Sequence, residues 1–263
     1  MMKISIVIPA YNEEKRIGKT LNAYSRYFNS IIKEKDLDYE ILVVINNTTD
    51  RTKGIVKKIQ NKNKKIRYLD LKQGGKGYAI IEGFKDSLRR KNDLIGFVDS
   101  DMSTLPEEYA RLALDIGEYD GIIASRYLPG AIVKPKPTTQ RMVSSRIYNL
   151  WIRFLFLMPY HDTQCGAKVF KREAVAKVVN KLIITKWAFD VDLLYNLRKY
   201  GFKIKETPTR WSDAAYSKIN FLKAGPIMAL SMLRLRLLNS PLKGLIKLYG
   251  VLPDWMKIHN KLA

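Results

Sequence analysis

Short aliphatic runs, each followed by a longer amphipathic stretch, constrain this chain more than any other feature. They lie at residues 4–8, 40–45, 66–71, 94–98 and 121–125. Each has strand length, is rich in Ile, Val and Leu, and is nearly continuous, as strands buried on both faces are. Helical spacing fills the intervals at 13–28, 53–62 and 107–116, and from Gly74-Gly75-Lys76-Gly77 through 88. Alternation of this kind predicts an α/β fold with a mostly parallel central sheet flanked by helices. Ligands of such sheets bind beyond the carboxyl ends of the strands. That rule directs attention to 9–13, 46–50, 99–103 and Ser125-Arg126.

The second half is less regular. A basic, aromatic-rich helix is predicted over 141–157, a short strand at 168–170, a helix at 190–200 and a strand over 204–211. Trp151, Phe154 and Phe156 read as core residues, with a lipid groove as the alternative. From 220 the pattern becomes two amphipathic helices. The second opens with Ser240-Pro241, a cap followed by proline at the first helical position, and Leu242, Leu245, Ile246 and Tyr249 share its apolar face. The expected division is a domain over 1–219 and a basic amphipathic helical tail over 220–263.

Composition enters through charge. The chain has 47 Lys and Arg against 25 Asp and Glu, a net of +22. Residues 1–126 hold 23 basic and 18 acidic side chains, while 127–263 hold 24 and 7, so the halves carry +5 and +17. Such a balance points to an anionic partner: a phosphorylated substrate, an anionic membrane surface or nucleic acid. The stretch from 214 has eight basic residues and one acidic, Asp254, with Ile227, Leu230, Met232, Leu233, Leu237 and Leu238 interleaved. That suits a helix pair lying in the plane of an anionic membrane surface, with packing on the domain or a dimer interface as the alternative. Nucleic acid is disfavoured, because carboxylates crowd the strand ends and would repel a polyanion. No oligomeric state is implied. The single cysteine, Cys165, excludes a disulfide scaffold and reads as a small packed residue. A membrane-crossing helix needs about 20 apolar residues. The longest candidate, 224–233, contains Gly225 and Pro226 and is closed by Lys223 and Arg234. A soluble or peripheral protein in a reducing compartment is expected.

Asp99-Ser100-Asp101 is the sharpest motif. Two carboxylates two residues apart, just past a buried strand, can reach one hard cation, Mg²⁺ or Mn²⁺, together with substrate phosphates. Pro9-Ala10-Tyr11-Asn12-Glu13-Glu14 closes the first strand. Tyr11 and Glu13 either face the crevice or start a helix, and Glu14 is assigned to the helix start. Gly74-Gly75-Lys76-Gly77 sets backbone N–H groups and Lys76 where a phosphate could bind, although it lacks P-loop spacing. Asp190 either orients a substrate or stabilises a helix N-terminus, and Asp192 is assigned to the helix alone. His161 and His259 show no metal spacing.

These motifs carry a resemblance. SIVIPAYNEEKRIGKTL at 5–21 resembles the start of family-2 glycosyltransferases, which bind nucleotide sugars on a GT-A fold. NNTTDRT, QGGKGYAIIEGF, FVDSDMST and ASRY follow in that family's order. DTQCGAKVFKR at 162–172, WAFDVDLLY at 187–195 and ETPTRWSDAAYSKI at 206–219 resemble the dolichyl-phosphate β-glucosyltransferases, relatives of the dolichyl-phosphate mannosyltransferases. The resemblance covers about residues 4–220. It implies a metal-dependent, inverting transfer of a hexose, glucose favoured, from a nucleotide diphosphate sugar to dolichyl or polyprenyl monophosphate. The enzyme would be peripheral, on the cytoplasmic face of the membrane, in service of protein glycosylation. The resemblance further implies that Pro9, Ala10, Tyr11, Glu13, Asn46 and Asp50 line the nucleoside pocket; Lys76 and Gly77, read from the glycine-rich helix start, would face the donor phosphates, with a flexible β–α turn as the alternative. Asp99, Ser100 and Asp101 would hold the diphosphate, and Asp99, Asp101 and Ser103 the metal. Arg126, Arg141 and Ser145 would grip the acceptor phosphate, with Lys218 near a donor or acceptor phosphate and Asp190 beside the sugar.

Two departures matter. Ile45-Asn46 stands where the family has a carboxylate pair. An Asn carbonyl can accept the single imide N–H of uracil but pairs less well with the two donors of guanine, so a UDP donor is favoured over GDP. Ala167 replaces the aromatic usual in the Cys-Gly motif. The chemistry suits the basic residues, because a phosphate monoester is already anionic and needs positioning and charge stabilisation more than a base. The alternatives are a GDP-mannose-dependent polyprenyl-phosphate mannosyltransferase and a family-2 transferase with a non-lipid glycan acceptor.

Overall fold

The computed structural model describes residues 1–183, 188–212 and 221–241. Through the first half β1 (Met2–Ala10), α1 (Ile17–Ile31), β2 (Leu37–Asn46), α2 (Thr52–Lys62), β3 (Ile66–Leu71), α3 (Lys76–Arg89), β4 (Leu94–Val98), α4 (Pro106–Leu114) and β5 (Gly121–Ser125) alternate. Then come β6 (Ile132–Lys134), α5 (Thr139–Phe156), β7 (Ala167–Lys171), α6 (Arg172–Val178), α7 (Phe189–Lys199), β8 (Ile204–Pro208), β9 (Arg210–Ser212) and α8 (Phe221–Leu238).

Seven strands form one sheet in the order β3-β2-β1-β4-β7-β5-β8. Every pairing in it is parallel except those of β7, which runs antiparallel to both β4 and β5. The strands separate two cores by simple alternation. Ile4, Ile6 and Ile8 face α1, α2 and α4 with Ile41, Val43 and Ile45, while Val7, Leu42 and Val44 face the other side, where α3, α5, α6, α7 and α8 contribute. Both faces are covered, which explains why the strands read as unbroken apolar runs. Each fully buried Ile or Leu contributes roughly 1.5–3 kcal/mol.

The structure shifts several expected boundaries. Helix α1 begins at Ile17 rather than at 13, because the Glu13 carbonyl accepts the N–H groups of Arg16 and Ile17, both at 2.9 Å, and closes a turn first. The run 204–211 is two strands in different sheets. The Thr209 N–H is taken by the Ser125 carbonyl at 3.1 Å, and β9 then leaves to pair with β6. Phe156 is core and Phe154 is 75% exposed, against its assignment to the interior, while Trp151 is 36% exposed. Ala167 is buried in β7 opposite Val98, so it belongs to the core.

Helix α8 packs on α5: Met232 and Leu235 are buried, and the Arg236 Nε–H donates to the Leu155 carbonyl at 3.0 Å. The second tail helix with its Leu242, Leu245, Ile246 and Tyr249 face, Asp254, Lys218 and His259 lie outside the described residues. No helix among the described residues is long and apolar enough to cross a membrane.

Candidate active site

The carboxyl ends of β1, β2 and β4 surround an open cavity of about 770 Å³, lined by Pro9, Tyr11, Glu13, Asn46, Lys76, Asp99, Ser100 and Asp101. Arg16, Asn47, Gly74 and Gly75 complete the lining. Tyr11 stands at the rim, 56% exposed. Behind it the β1–α1 loop is fastened to the β2–α2 loop: Glu13 N–H donates to Thr52 Oγ1 at 2.7 Å, and Asn12 Oδ1 accepts the Thr49 N–H at 2.9 Å. The Glu13 carboxylate is forked on Arg16, with both contacts at 2.7 Å. Asp50 stands outside the lining. Its two oxygens accept the N–H groups of Glu14 and Thr52 at 3.0 and 2.9 Å, and these bonds outweigh burial and hold its carboxyl below the ordinary range.

Asn46 is buried beside Ala10. Its Nδ2 donates to the Ala10 carbonyl at 3.1 Å and its Oδ1 accepts the Gly75 N–H at 3.2 Å. These two bonds fix which way the amide faces and leave the carbonyl one further lone pair. Gly77 packs away from the cavity: a Cβ there would come within 2.7 Å of Phe189, so the glycine lets α3 approach α7.

Helix α1 grips the loop after β4 from below, since Thr20 Oγ1 donates to the Ser100 carbonyl at 2.7 Å and the Tyr24 hydroxyl to the Thr104 carbonyl at 2.9 Å. Ser103 is buried, and its N–H braces Asp101 Oδ1 at 3.0 Å. Asp99 is walled by the start of β7. Its N–H donates to the Gly166 carbonyl at 3.1 Å, and a Cβ at 166 would stand 1.9 Å from Asp99 Oδ2.

From this loop a row of alternating charge crosses the molecule. Lys76 Nζ lies 2.5 Å from Asp99 Oδ1. Burial opposes the Lys76 charge, but Asp99, with Asp190 and Asp101, overrides it and raises the pKa. Burial and the neighbouring Asp101 raise the Asp99 carboxyl above its ordinary range despite Lys76. Asp190 Oδ1 accepts from Lys168 Nζ at 2.5 Å, and the wholly buried Lys168 also donates to the Cys165 carbonyl at 2.7 Å. Asp162, also wholly buried, accepts from Arg126 Nε, Nη2 and backbone N–H at 2.7, 2.9 and 3.0 Å. Burial works against that carboxylate, but Arg126 first and Lys168 after it hold its pKa low.

Arg126 also lies over the rings of Tyr127 and Trp211, at 5.4 and 5.2 Å. The Tyr127 hydroxyl is hydrogen-bonded to Ser145 Oγ on α5. Arg141 sits one turn earlier on that helix, on the same side. The outer face of α5 is apolar and, among the described residues, exposed: Val143, Ile147, Leu150, Phe154 and Leu157 are 47–75% exposed.

Among the described residues no group of three or more His, Cys, Asp or Glu side chains could hold a metal ion. A cation at Asp99 and Asp101 would take two hard carboxylates and complete its shell from substrate oxygens and water, a donor set that fits Mg²⁺ or Mn²⁺.

The sequence profile of Glycosyl transferase family 2 matches residues 5–179. The chain belongs to this family. It is 30% identical over 244 residues to the dolichyl-phosphate beta-glucosyltransferase of Dictyostelium discoideum, covering 89% of this chain and 73% of that one. Identity to the Homo sapiens protein of the same name is 29% over 228 residues, 82% of this chain and 69% of that one. Glycosyltransferase AglD of Haloferax volcanii matches at 26%, over 84% of this chain, which spans only 35% of that protein's length. Among solved structures, glucosyl-3-phosphoglycerate synthase from Mycobacterium tuberculosis in complex with Mn²⁺, UDP-glucose and phosphoglyceric acid aligns with a TM-score of 0.59 at 18% identity, over 90% of this chain and 79% of that one. Mannosyltransferase PcManGT from Pyrobaculum calidifontis, in complex with GDP-Man and Mn²⁺, aligns with a TM-score of 0.58 at 16% identity, over 90% and 63%. The fold is therefore GT-A.

Three residues of this glycosyltransferase lie inside the quoted motifs but are given no role by them. Arg16 is in the cavity wall, and its spacing of three from Glu13 was the available signal. Lys168 sits in a strand, where a lysine reads as solvent-facing, yet it is wholly buried. Asp162 lies between the predicted helix at 141–157 and the predicted strand at 168–170, and nothing local in the sequence marks it as the partner of Arg126.

Proposed function

We propose that this family-2 glycosyltransferase transfers glucose, with inversion, from UDP-glucose to dolichyl or polyprenyl monophosphate, at the cytoplasmic face of an anionic membrane. The observation that carries the reading is the row of alternating charge that starts beside Asp101 and runs from Asp99 through Lys76, Asp190, Lys168 and Asp162 to Arg126. It joins a cavity of nucleotide size to a cationic, aromatic patch beside an exposed apolar helix. The names of the relatives, dolichyl-phosphate beta-glucosyltransferases, support the acceptor and the sugar.

In this reading Tyr11 and Asn46 receive the base, with the remaining Asn46 lone pair accepting the uracil imide, and Glu13 and Asp50 brace that pocket. Asp99 and Asp101, with Ser103 bracing Asp101, hold Mg²⁺ or Mn²⁺, which neutralises charge on the leaving diphosphate when bound. Lys168 fixes Asp190 beside the sugar. Arg126, Arg141 and Ser145 position the acceptor phosphate, whose anionic oxygen attacks the sugar's C1 as the diphosphate leaves from the opposite face. The exposed face of α5, with α8 and the tail over 220–263, rests on the membrane surface, where the lipid acceptor is found.

A radiolabel transfer assay tests the proposal, offering UDP-glucose and GDP-mannose to polyprenyl phosphate with and without divalent metal. Label is expected in the lipid fraction from UDP-glucose only, and only with metal. Preferential transfer from GDP-mannose overturns the donor assignment, and transfer only to water-soluble acceptors overturns the lipid assignment. Arg141→Ala is expected to lower turnover on lipid phosphate while leaving UDP binding unchanged.

A further inference from the structure

The carboxylate at the centre of the donor cavity already has a cation. Lys76 Nζ stands 2.5 Å from Asp99 Oδ1. On the far side Asp99 Oδ2 abuts Gly166 so closely that no Cβ fits. The carboxylate sits between the Gly166 backbone and an ammonium. Asp101 is engaged as well, one oxygen accepting the Ser103 N–H at 3.0 Å.

Lys76 is built to move while its backbone is not. It is the first residue of α3, the Gly75 N–H before it is tied to Asn46, and Gly77 after it packs on Phe189. Its side chain is nevertheless 40% exposed to the cavity, on a flexible four-carbon stem. A divalent ion seeking Asp99 Oδ1 meets a like charge in its place, and like charges at ligand distance repel strongly outside bulk water. A diphosphate entering the cavity brings oxygens that can draw the ammonium off.

We propose that Lys76 is a resident counter-cation of Asp99, which keeps the carboxylate pair from holding a divalent metal alone and releases it when a nucleotide diphosphate offers the ammonium a new partner. This deepens the donor-site reading above and rests on it. Metal and nucleotide then enter as a coupled pair, and by linkage each strengthens the other by the same factor. The lysine changes sides within the cavity: it pairs with protein before donor entry and with substrate after it.

The test is Mn²⁺ binding by the full chain, read by electron paramagnetic resonance of free Mn²⁺, with and without saturating UDP. Lys76→Met keeps the stem and removes the charge. In the unaltered protein Mn²⁺ is expected to bind about tenfold or more weakly without UDP than with it, within the usual span of coupling between sites. In K76M, Mn²⁺ alone is expected to bind about tenfold more tightly than in the unaltered protein, and the gap between the two conditions should shrink. Lys76→Gln should move in the same direction, and thermal melts of both variants guard against misfolding. Nucleotide-free Mn²⁺ binding that is unchanged or weaker in folded K76M and K76Q overturns the proposal. Asp99→Asn separates the two levels. If D99N binds Mn²⁺ with UDP as the unaltered protein does, the donor-site reading itself fails. If D99N loses that binding while K76M leaves nucleotide-free binding unchanged, only the lysine proposal fails.

Discussion

Gly166→Ala tests how tightly the fold holds Asp99. The added methyl would stand 1.9 Å from Asp99 Oδ2 and 2.5 Å from its Cγ. Ordinary C···O contact begins at about 3.3 Å, so the carboxylate must retreat by roughly 1.4 Å. Retreat carries it toward Lys76, 2.5 Å away at the other oxygen, so the ion pair must rearrange with it. Overpacking of this size costs about 1–3 kcal/mol of stability, and a misplacement of about 1 Å at a reacting centre costs on the order of 10²-fold in rate. The expected result is a melting temperature lowered by a few degrees, weaker binding of Mn²⁺ with UDP by calorimetry, and glucosyl transfer to lipid phosphate reduced about a hundredfold. Gly54→Ala is the control. It lies in α2 with nothing within 4 Å of its added Cβ, and should be neutral or stabilising by up to about 1 kcal/mol. Unaltered turnover and Mn²⁺–UDP affinity in G166A would refute the view that the start of β7 sets the position of Asp99.

Asp162→Ala leaves the Arg126 guanidinium without its buried partner and is expected to cost about 3–5 kcal/mol in urea unfolding; a loss below about 1 kcal/mol would contradict the pairing. Phe154→Glu on the exposed face of α5 should leave the melting temperature unchanged but lower flotation with anionic vesicles by about tenfold or more; undiminished flotation counts against α5 as a membrane contact. Burial pushes the Asp192 carboxyl up to about 6 from an ordinary 3.8. The folded chain therefore holds this proton more tightly than the unfolded one, so its stabilising effect is full below about 4 and is lost as pH rises to about 6. Asp192→Asn should flatten the stability profile between those values in denaturant titrations, and an unchanged slope would show that Asp192 is not its source.

Much of the cavity side was legible because its signals are local. The strand Ile66–Leu71 has the bounds its apolar run predicts, and Asp99 and Asp101 follow β4 as the strand-end rule requires. What escaped depends on contacts distant in sequence. An apolar run does not encode its direction, so 168–170 gave no hint that β7 lies antiparallel between β4 and β5. Asn46 was legible as a departure from its family, but not its bond to the Gly75 N–H 29 residues on. Asp50 looks like a pocket residue by position, yet both its oxygens serve backbone N–H groups of the loops that shape the pocket. Phe154 was misread because its neighbours on α5 that do enter the core, Ile152 and Phe156, share its apolar character and differ only in helical phase.

The place of β7 bears on how the molecule comes into being. It joins β4 to β5, strands made long before it during synthesis. A nascent chain that has only reached residue 126 holds both strands but not the one between them, so two sheet edges stay unsatisfied and the wall behind Asp99 is missing. The first half of the chain therefore lacks a central strand of its own sheet until the second half supplies it. Its sheet is continuous only once residues 166–171 have been delivered.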